Sequence, residues 1–102
     1  MTYDLPLRFE WDDAKNVANQ EKHDVSFEEA RELFTSGQDY LEIFDEAHSD
    51  VEDRFIAIGP ISRGLVLVVW TERDEDVIRI ISARWATKRE RQMYAKHMER
   101  ET

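Results

Sequence analysis

The centre of the chain reads LVLVVWT over residues 65–71, and residues 65–70 form its longest uninterrupted apolar run. An apolar run of this length, with no polar residues alternating along it, is typical of a strand that is covered on both faces. Residues 54–58 read RFIAI and residues 77–84 read VIRIISAR, and both are rich in the residues that favour strands. The three segments predict a sheet with residues 65–71 at its centre.

Two further strands extend this prediction outwards. Residues 40–44 show strand-like periodicity, and residues 7–11 alternate between apolar and charged side chains in a short first strand. Gly and Pro predict a turn at 59–64, and an acidic cluster predicts another at 74–76. Because short connections join antiparallel neighbours, we expect an antiparallel sheet of four to five strands.

Three helices are predicted, two before residues 40–44 and one after the last strand. Asp12 can cap the first, which should end near residues 23–24. The capping boxes SFEE at 26–29 and TKRE at 87–90 open the other two. The expected buried faces are Ala14, Val17 and Ala18 in the first helix, Phe27, Ala30, Leu33 and Phe34 in the second, and Met93, Tyr94, His97 and Met98 in the third. The fold class is therefore α+β, with helices packed on the sheet in a single domain over residues 1–102.

The composition excludes several kinds of protein. A chain of 102 residues is long enough for one small domain, and an apolar share of 41% is enough for a packed core. The lack of cysteine excludes disulfides, thiolate catalysis and cysteine-based zinc sites. No apolar run approaches the ~18 residues of a membrane-spanning helix, and the acidic N-terminus does not lead into the apolar stretch of a signal peptide. We therefore expect a cytoplasmic protein.

The charge is divided unevenly along the chain. The formal net charge is −9, and residues 1–60 hold 5 basic and 16 acidic side chains. Residues 79–100, in contrast, hold 7 basic and 2 acidic side chains. A basic segment on an acidic chain indicates a localised site for an anion. Adaptation to a salty cytoplasm is an alternative explanation of the bulk acidity.

Two arginines within residues 77–84 are the main candidates for that anion site. Arg79 lies in the middle of a strand, where a half-buried guanidinium needs a partner, either a carboxylate such as Glu72 or a bound anion. Arg84 lies at the strand end, where Lys88, Arg89 and the free N–H groups of the next helix would favour a phosphate. Internal ion pairs and a solvated helix face are the alternatives. Strict alternation puts Arg79 and Arg84 on opposite faces, so a shared site requires the strand to end or bulge before Arg84.

Histidine and tryptophan supply the remaining candidates. His23 closes the first helix and could act as a general acid or base, or could simply cap the helix. His48 lies in an acidic loop that has no recognised metal-ligand spacing, and a solvated loop is the simpler interpretation. Trp85 could stack on a nucleic-acid base or pack against the sheet edge.

Several motifs in one order resemble those of a known family. They are FEWD at 9–12, KHDVSFEEA at 22–30, DRFIAIG at 53–59, RIISAR at 79–84 and ATKRER at 86–91. Together they are similar to the BrnT family of toxins from bacterial and archaeal type II toxin–antitoxin pairs. The resemblance implies a RelE-like fold and a ribonuclease activity that needs no metal or cofactor. It also implies a BrnA antitoxin partner, which binds DNA and represses the shared operon.

The resemblance implies site residues as well. The family's Lys-His motif matches Lys22 and His23, its Asp-Arg-Phe strand matches Arg54, and its Arg-Ile-Ile-Ser-Ala-Arg strand matches Arg79 and Arg84. In metal-free RNA cleavage the neighbouring 2′-hydroxyl attacks the phosphate. The reaction needs an acceptor for the hydroxyl proton, positively charged groups beside the phosphate and a proton donor for the leaving oxygen.

The resulting hypothesis assigns proton transfer to His23 or Lys22 and a phosphate clamp to the three arginines. RNA binding is assigned to Lys88, Arg89 and Trp85. In the alternative hypothesis, the domain has weak or no cleavage activity and binds the antitoxin as a co-repressor.

Overall fold

The computed structural model describes residues 7–48, 50 and 52–101. In this part of the chain a five-stranded sheet is combined with three helices, which confirms the α+β class. The strands are β1 (Arg8–Glu10), β2 (Leu41–Phe44), β3 (Arg54–Ile61), β4 (Gly64–Arg73) and β5 (Val77–Trp85). The helices are α1 (Asp13–His23), α2 (Phe27–Thr35) and α3 (Lys88–Glu101), and a 3-10 turn covers Glu46–His48. None of the helices described is both long and apolar enough to cross a membrane.

The strand order in the sheet is β1-β5-β4-β3-β2, so β4 lies at the centre as predicted. The strands β2 to β5 are antiparallel to their neighbours, as their short connections require. β1 pairs with β5 in parallel, so the expectation of a purely antiparallel sheet is wrong at this edge. The physical reason is that most of the chain separates β1 from β5, so no short turn fixes their relative direction.

The connection between β3 and β4 is shorter than predicted. Both strands extend into residues 59–64, and only Ser62 and Arg63 remain between them. The Arg63 guanidinium donates to the Glu29 carboxylate at 2.7 Å and to the carbonyl oxygen of Asp24 at 2.6 Å. The hydrogen bond from Arg63 is also the main cause that lowers the pKa of Glu29. The hairpin tip, the end of α1 and the start of α2 are thus held together at one end of the molecule.

α1 buries asparagines rather than its small apolar residues. The expectation that Ala14, Val17 and Ala18 form the buried stripe is wrong, because all three are exposed. Asn16 and Asn19 are buried instead. Asp12 caps the start of this helix as predicted, and the helix ends at residue 23.

The buried carboxamide of Asn19 replaces a missing strand. One edge of β5 pairs with β4, and β1 covers the other edge only as far as Arg79, so in the described chain this second edge faces α1 at Ala83. Asn19 accepts a hydrogen bond from the N–H of Ala83 at 3.1 Å and donates to its carbonyl oxygen at 2.8 Å. It also donates to the carbonyl oxygen of Val25 at 2.9 Å. Because unpaired buried backbone groups are costly, these bonds fix α1 beside β5.

The hydrophobic core lies between α2 and one face of the sheet, which we call the core face. The Ser26 and Glu29 capping box is present, and the predicted residues of α2 point into the core. The sheet contributes Val66, Val68 and Trp70 of β4 and Ile78, Ile80 and Ala83 of β5. The predicted buried face of α2 is therefore confirmed, with Phe34 half-buried against the ring of Trp70.

α3 is attached to the sheet at few points and chiefly through β3. The Tyr94 hydroxyl donates to the carbonyl oxygen of Asp39 at 3.3 Å, and His97 lies 3.4 Å from the Asp39 carboxylate. Tyr94, His97 and Met98 were predicted to be buried and are half-buried. Met93 is 38% exposed, so its prediction as a buried residue is wrong. At about 100° per residue, Met93 lies about 90° from the centre of the face that Tyr94, His97 and Met98 define, so it is at the edge of this face.

Candidate active site

A β-bulge in β5 brings two predicted site residues to one face of the sheet. The register shifts between Val69 and Trp70 of β4, where Ile81 of β5 has no residue opposite it. Because side chains alternate along a strand, one extra residue exchanges the faces on either side of it. Arg79 and Arg84 therefore share the face opposite to the core, which we call the arginine face. The bulge that a shared site for Arg79 and Arg84 requires is therefore present.

The register across three strands places Arg54 in the same row as Arg79. Arg54 pairs with Thr71, and Thr71 pairs with Arg79, so the threonine lies between the two arginines. Neighbouring strands are ~4.8 Å apart, which separates the two arginine backbones by ~10 Å. The buried Thr71 hydroxyl donates to the carbonyl oxygen of Asp53 at 2.6 Å and holds the start of β3 in place. Two guanidinium groups can thus approach one anion from two sides.

Arg79 pairs with Glu10, which belongs to the same row. Its guanidinium donates to the Glu10 carboxylate at 3.3 Å, and Arg73 lies 3.7 Å from the same oxygen. The expected partner, Glu72, is opposite Ile78 of the core face, so that pairing is wrong. Glu10 and Arg73 were missed because the parallel register of β1 on β5 has no signal in the local sequence. Both side chains are solvent-accessible.

Arg84 is held by a carboxylate of α3. Its guanidinium donates two hydrogen bonds of 2.8 Å to Glu90, which also accepts from the N–H of Thr87 at 2.9 Å. The Arg84 hydrogen bond is the largest cause that lowers the pKa of Glu90 to about 2. The anion at the start of α3 is therefore the chain's own carboxylate. Lys88 and Arg89 are exposed beside it.

Lys22 and His23 lie at the other end of the sheet from Arg54. They immediately precede Asp24, which Arg63 binds at the tip of the β3–β4 hairpin. Arg54 lies seven residues before Ile61, the last residue of β3 at the hairpin tip. At 3.3 Å per residue, Arg54 is therefore ~23 Å from the hairpin tip along the strand. We call the row of Glu10, Arg79, Thr71 and Arg54 across the sheet the arginine row. The structure does not bring Lys22 and His23 together with it.

Trp85 lies on the core face, opposite Val66. Its ring is half-buried against the core, and the Arg63 guanidinium covers it at 5.0 Å from the ring centroid. The interpretation as packing at the sheet edge agrees with this position.

A shallow cavity of about 530 Å³ adjoins Arg54. Its lining consists of Ala47, His48, Asp50, Glu52 and Arg54. The 3-10 turn that follows β2 carries the histidine into this lining. Within residues 7–48, 50 and 52–101, no group of three or more acidic or histidine side chains is placed to hold a metal ion.

A match to the model of a known protein family identifies the relatives of this chain. The family model that matches describes a ribonuclease toxin, BrnT, of type II toxin–antitoxin systems, and it covers residues 11–90. The chain belongs to the BrnT family. The family resemblance that the sequence motifs indicate is confirmed.

A solved BrnT structure agrees with this fold. The crystal structure of the Brucella abortus ribonuclease toxin BrnT matches with a TM-score of 0.62 and 24% sequence identity. The match covers 80% of this chain and 99% of the Brucella chain. A search of curated proteins gives no match. Membership of a family of type II ribonuclease toxins also implies that this BrnT protein has a protein antitoxin as its partner.

Proposed function

We propose that this BrnT protein is an endoribonuclease that cleaves RNA without a metal ion. In this reaction the ribose 2′-hydroxyl attacks the adjacent phosphorus, and the P–O5′ bond breaks to leave a 2′,3′-cyclic phosphate. The developing negative charge on the phosphate oxygens must be stabilised by fixed positive charge. The arginine face offers this charge from the protein itself.

The observation that carries the proposal is the row in which Arg54 and Arg79 flank Thr71. A guanidinium is planar, permanently charged and able to donate two parallel hydrogen bonds to phosphate oxygens. Glu10 balances Arg79 in the free protein at 3.3 Å, and its carboxylate is accessible enough to turn away when a phosphate enters. Two arginines on either side of one phosphate would bind the transition state more tightly than the ground state, because negative charge increases during the reaction.

Arg84 has a supporting role in this proposal. Its two hydrogen bonds to Glu90 fasten the start of α3 to β5. The exposed Lys88 and Arg89 then extend the positive charge for the RNA backbone beyond the scissile phosphate. Trp85 is left out of the RNA path because its ring lies on the core face.

The partner proposed for this chain is a BrnA-like, DNA-binding antitoxin. Family membership supports a protein antitoxin. An antitoxin that also binds DNA must carry positive charge, and the net charge of −9 on this chain favours association with such a partner.

The test uses purified protein and end-labelled single-stranded RNA, with and without EDTA. Cleavage should survive the chelator and give 2′,3′-cyclic phosphate ends. Arg54→Ala and Arg79→Ala should each lower kcat/KM by ~10²–10³-fold, the range found when a preorganised donor to a developing anion is removed. Arg100→Ala, an exposed arginine in the last turn of α3, is the matched control and should stay within about threefold of the unmodified protein.

Loss of cleavage on chelation, or full activity in both arginine variants, would contradict the proposal. A protein that cleaves no RNA but binds the antitoxin and strengthens repression of its operon would instead support the co-repressor hypothesis. Repeating the assay on Arg54→Lys separates a requirement for the planar guanidinium from a requirement for charge alone.

A further inference from the structure

The proposed function does not identify the group that accepts the proton of the 2′-hydroxyl. Lys22 and His23 lie at the hairpin end of the sheet, beside Asp24. His48, in contrast, lines the same cavity as Arg54. Of the histidines described, it is the one whose cavity adjoins the arginine row.

The sheet register places the carboxylate partner of His48 next to Arg54. The N–H of Asp45, the residue after β2, donates to the carbonyl oxygen of Arg54 at 2.8 Å and continues the pairing of β2 with β3 by one residue. Asp45 is two residues after Ile43, whose partner Ile56 lies on the arginine face. By alternation the Asp45 carboxylate is on that face as well. Asp45 thus ends the row that begins with Glu10.

Among the residues that the structure describes, the Asp45 carboxylate contacts one nitrogen of the His48 imidazole. Its Nδ1 lies 3.0 and 3.1 Å from the two Asp45 oxygens. The Asp45 side chain is 15% exposed, whereas the His48 side chain is 69% exposed. A carboxylate accepts at both oxygens, so this contact requires the proton on Nδ1 and directs the lone pair of Nε2 away from Asp45. The mostly buried Asp45 carboxylate therefore orients an exposed imidazole whose Nε2 can accept a proton.

We propose that His48 is the general base of RNA cleavage and that Asp45 positions it; this inference rests on the proposed function. The Nε2 lone pair takes the proton of the 2′-hydroxyl while the O2′–P bond forms. The P–O5′ bond breaks, and the leaving 5′-oxygen takes a proton from water. The Asp45 carboxylate stabilises the imidazolium that results, in the way that a buried aspartate supports a catalytic histidine. Arg54 and Arg79 hold the phosphate throughout.

The charged groups around His48 suit this role. Asp45 contacts Nδ1, and Asp50, Glu52 and Arg54 line the cavity that the imidazole enters. Glu52 lies 3.7 Å from Arg54 and balances part of its charge in the free protein. The proposal requires the RNA to lie with the 2′-hydroxyl next to the bound phosphate on the side of Arg54 where His48 lines the cavity.

The test measures kcat and KM for RNA cleavage by His48→Ala. We expect kcat to fall by ~10²–10⁴-fold, the range for loss of a positioned general base, with KM within threefold of the unmodified protein. Added free imidazole should restore part of the lost rate, which it does not do for a residue whose role is structural. Asp45→Asn should lower kcat with little change in KM. Glu46→Ala, a change of an exposed neighbour in the same 3-10 turn, is the matched control and should retain activity.

The outcomes separate this inference from the proposed function. If His48→Ala cleaves at the original rate while Arg79→Ala does not, the ribonuclease proposal stands and the role of His48 is refuted. The same conclusion holds if His48→Ala is inactive but imidazole restores nothing, or if His23→Ala alone abolishes cleavage. If the unmodified protein cleaves no RNA, the proposed function itself fails and the inference falls with it. Equal thermal unfolding midpoints for His48→Ala and Glu46→Ala show that both variants fold.

Discussion

Among single residues, Asn19 fixes the position of α1 beside β5. Its carboxamide satisfies two backbone groups of Ala83 and one of Val25. Asn19→Ala removes three hydrogen bonds and leaves buried backbone groups without partners, so we expect it to lower the free energy of unfolding by ~2–4 kcal/mol. Urea denaturation at pH 7 measures this value. Glu21→Ala on the exposed side of the same helix should change it by less than ~0.5 kcal/mol, and equal effects of the two variants would refute this role of Asn19.

The same residue shows where sequence periodicity fails. Ala14, Val17 and Ala18 are the apolar residues of α1, and a hydrophobic pattern therefore predicts that they face the core. The inner face of α1 is instead set by the N–H and carbonyl groups of Ala83, which need partners. Asn19 supplies these partners although 64 positions separate the two residues. Hydrogen-bond demands of this kind depend on tertiary structure, and apolar periodicity contains no information about them.

Among the secondary-structure elements, the local sequence correctly predicts helix starts and the central strand. The capping boxes at Ser26 and Thr87 are present, and the apolar run at residues 65–70 lies in the central strand. The parallel edge strand and the position of the bulge at Ile81 were not predictable in the same way, because they result from pairing between strands. The site follows this division. Arg79 and Arg84 are recognisable in the sequence, but their shared face and the partner Glu10 depend on register.

The ion pair between Arg84 and Glu90 joins two elements and makes the attachment of α3 dependent on pH. The pKa of Glu90 is lowered to about 2, so its charged form stabilises the folded protein above its ordinary pKa of 4.5. This contribution is lost as the pH falls from 4.5 towards 2. Arg84 is partly exposed and solvent weakens the pair, so we expect Glu90→Gln to cost ~1–2 kcal/mol at pH 7.

The measurement is the free energy of unfolding of the unmodified protein and of Glu90→Gln between pH 7 and pH 3. Their difference should be constant down to about pH 5 and should then become smaller, because protonation of Glu90 removes the same interaction. Glu21→Gln, a change of an exposed helix glutamate, should show no such convergence. A difference that is unchanged at pH 3 would refute a stabilising role for the charge of Glu90, because the amide oxygen of the variant can still accept the hydrogen bond from Thr87.

At the scale of the whole molecule, the charge distribution limits how strongly RNA can bind. A protein with a net charge of −9 repels RNA everywhere except near its basic side chains. The proposed contacts are the phosphate between Arg54 and Arg79 and one or two phosphates at Lys88 and Arg89. Each phosphate neutralised on a single strand contributes about −0.7 to the slope of log K against log salt concentration. Two to three contacts therefore predict a slope of about −1.4 to −2.

Fluorescence anisotropy with 2′-O-methyl RNA, which cannot be cleaved by this route, measures that slope between 50 and 400 mM KCl. The double variant Lys88→Ala with Arg89→Ala should make it shallower by about 0.7 to 1.4, because it removes one or two phosphate contacts. Lys15→Ala, on the exposed surface of α1, should leave the slope unchanged. A slope steeper than about −4 would require more phosphate contacts than the arginine face and the start of α3 supply. RNA would then have to follow a path over other basic side chains, and the local site argued here would be too small to explain binding.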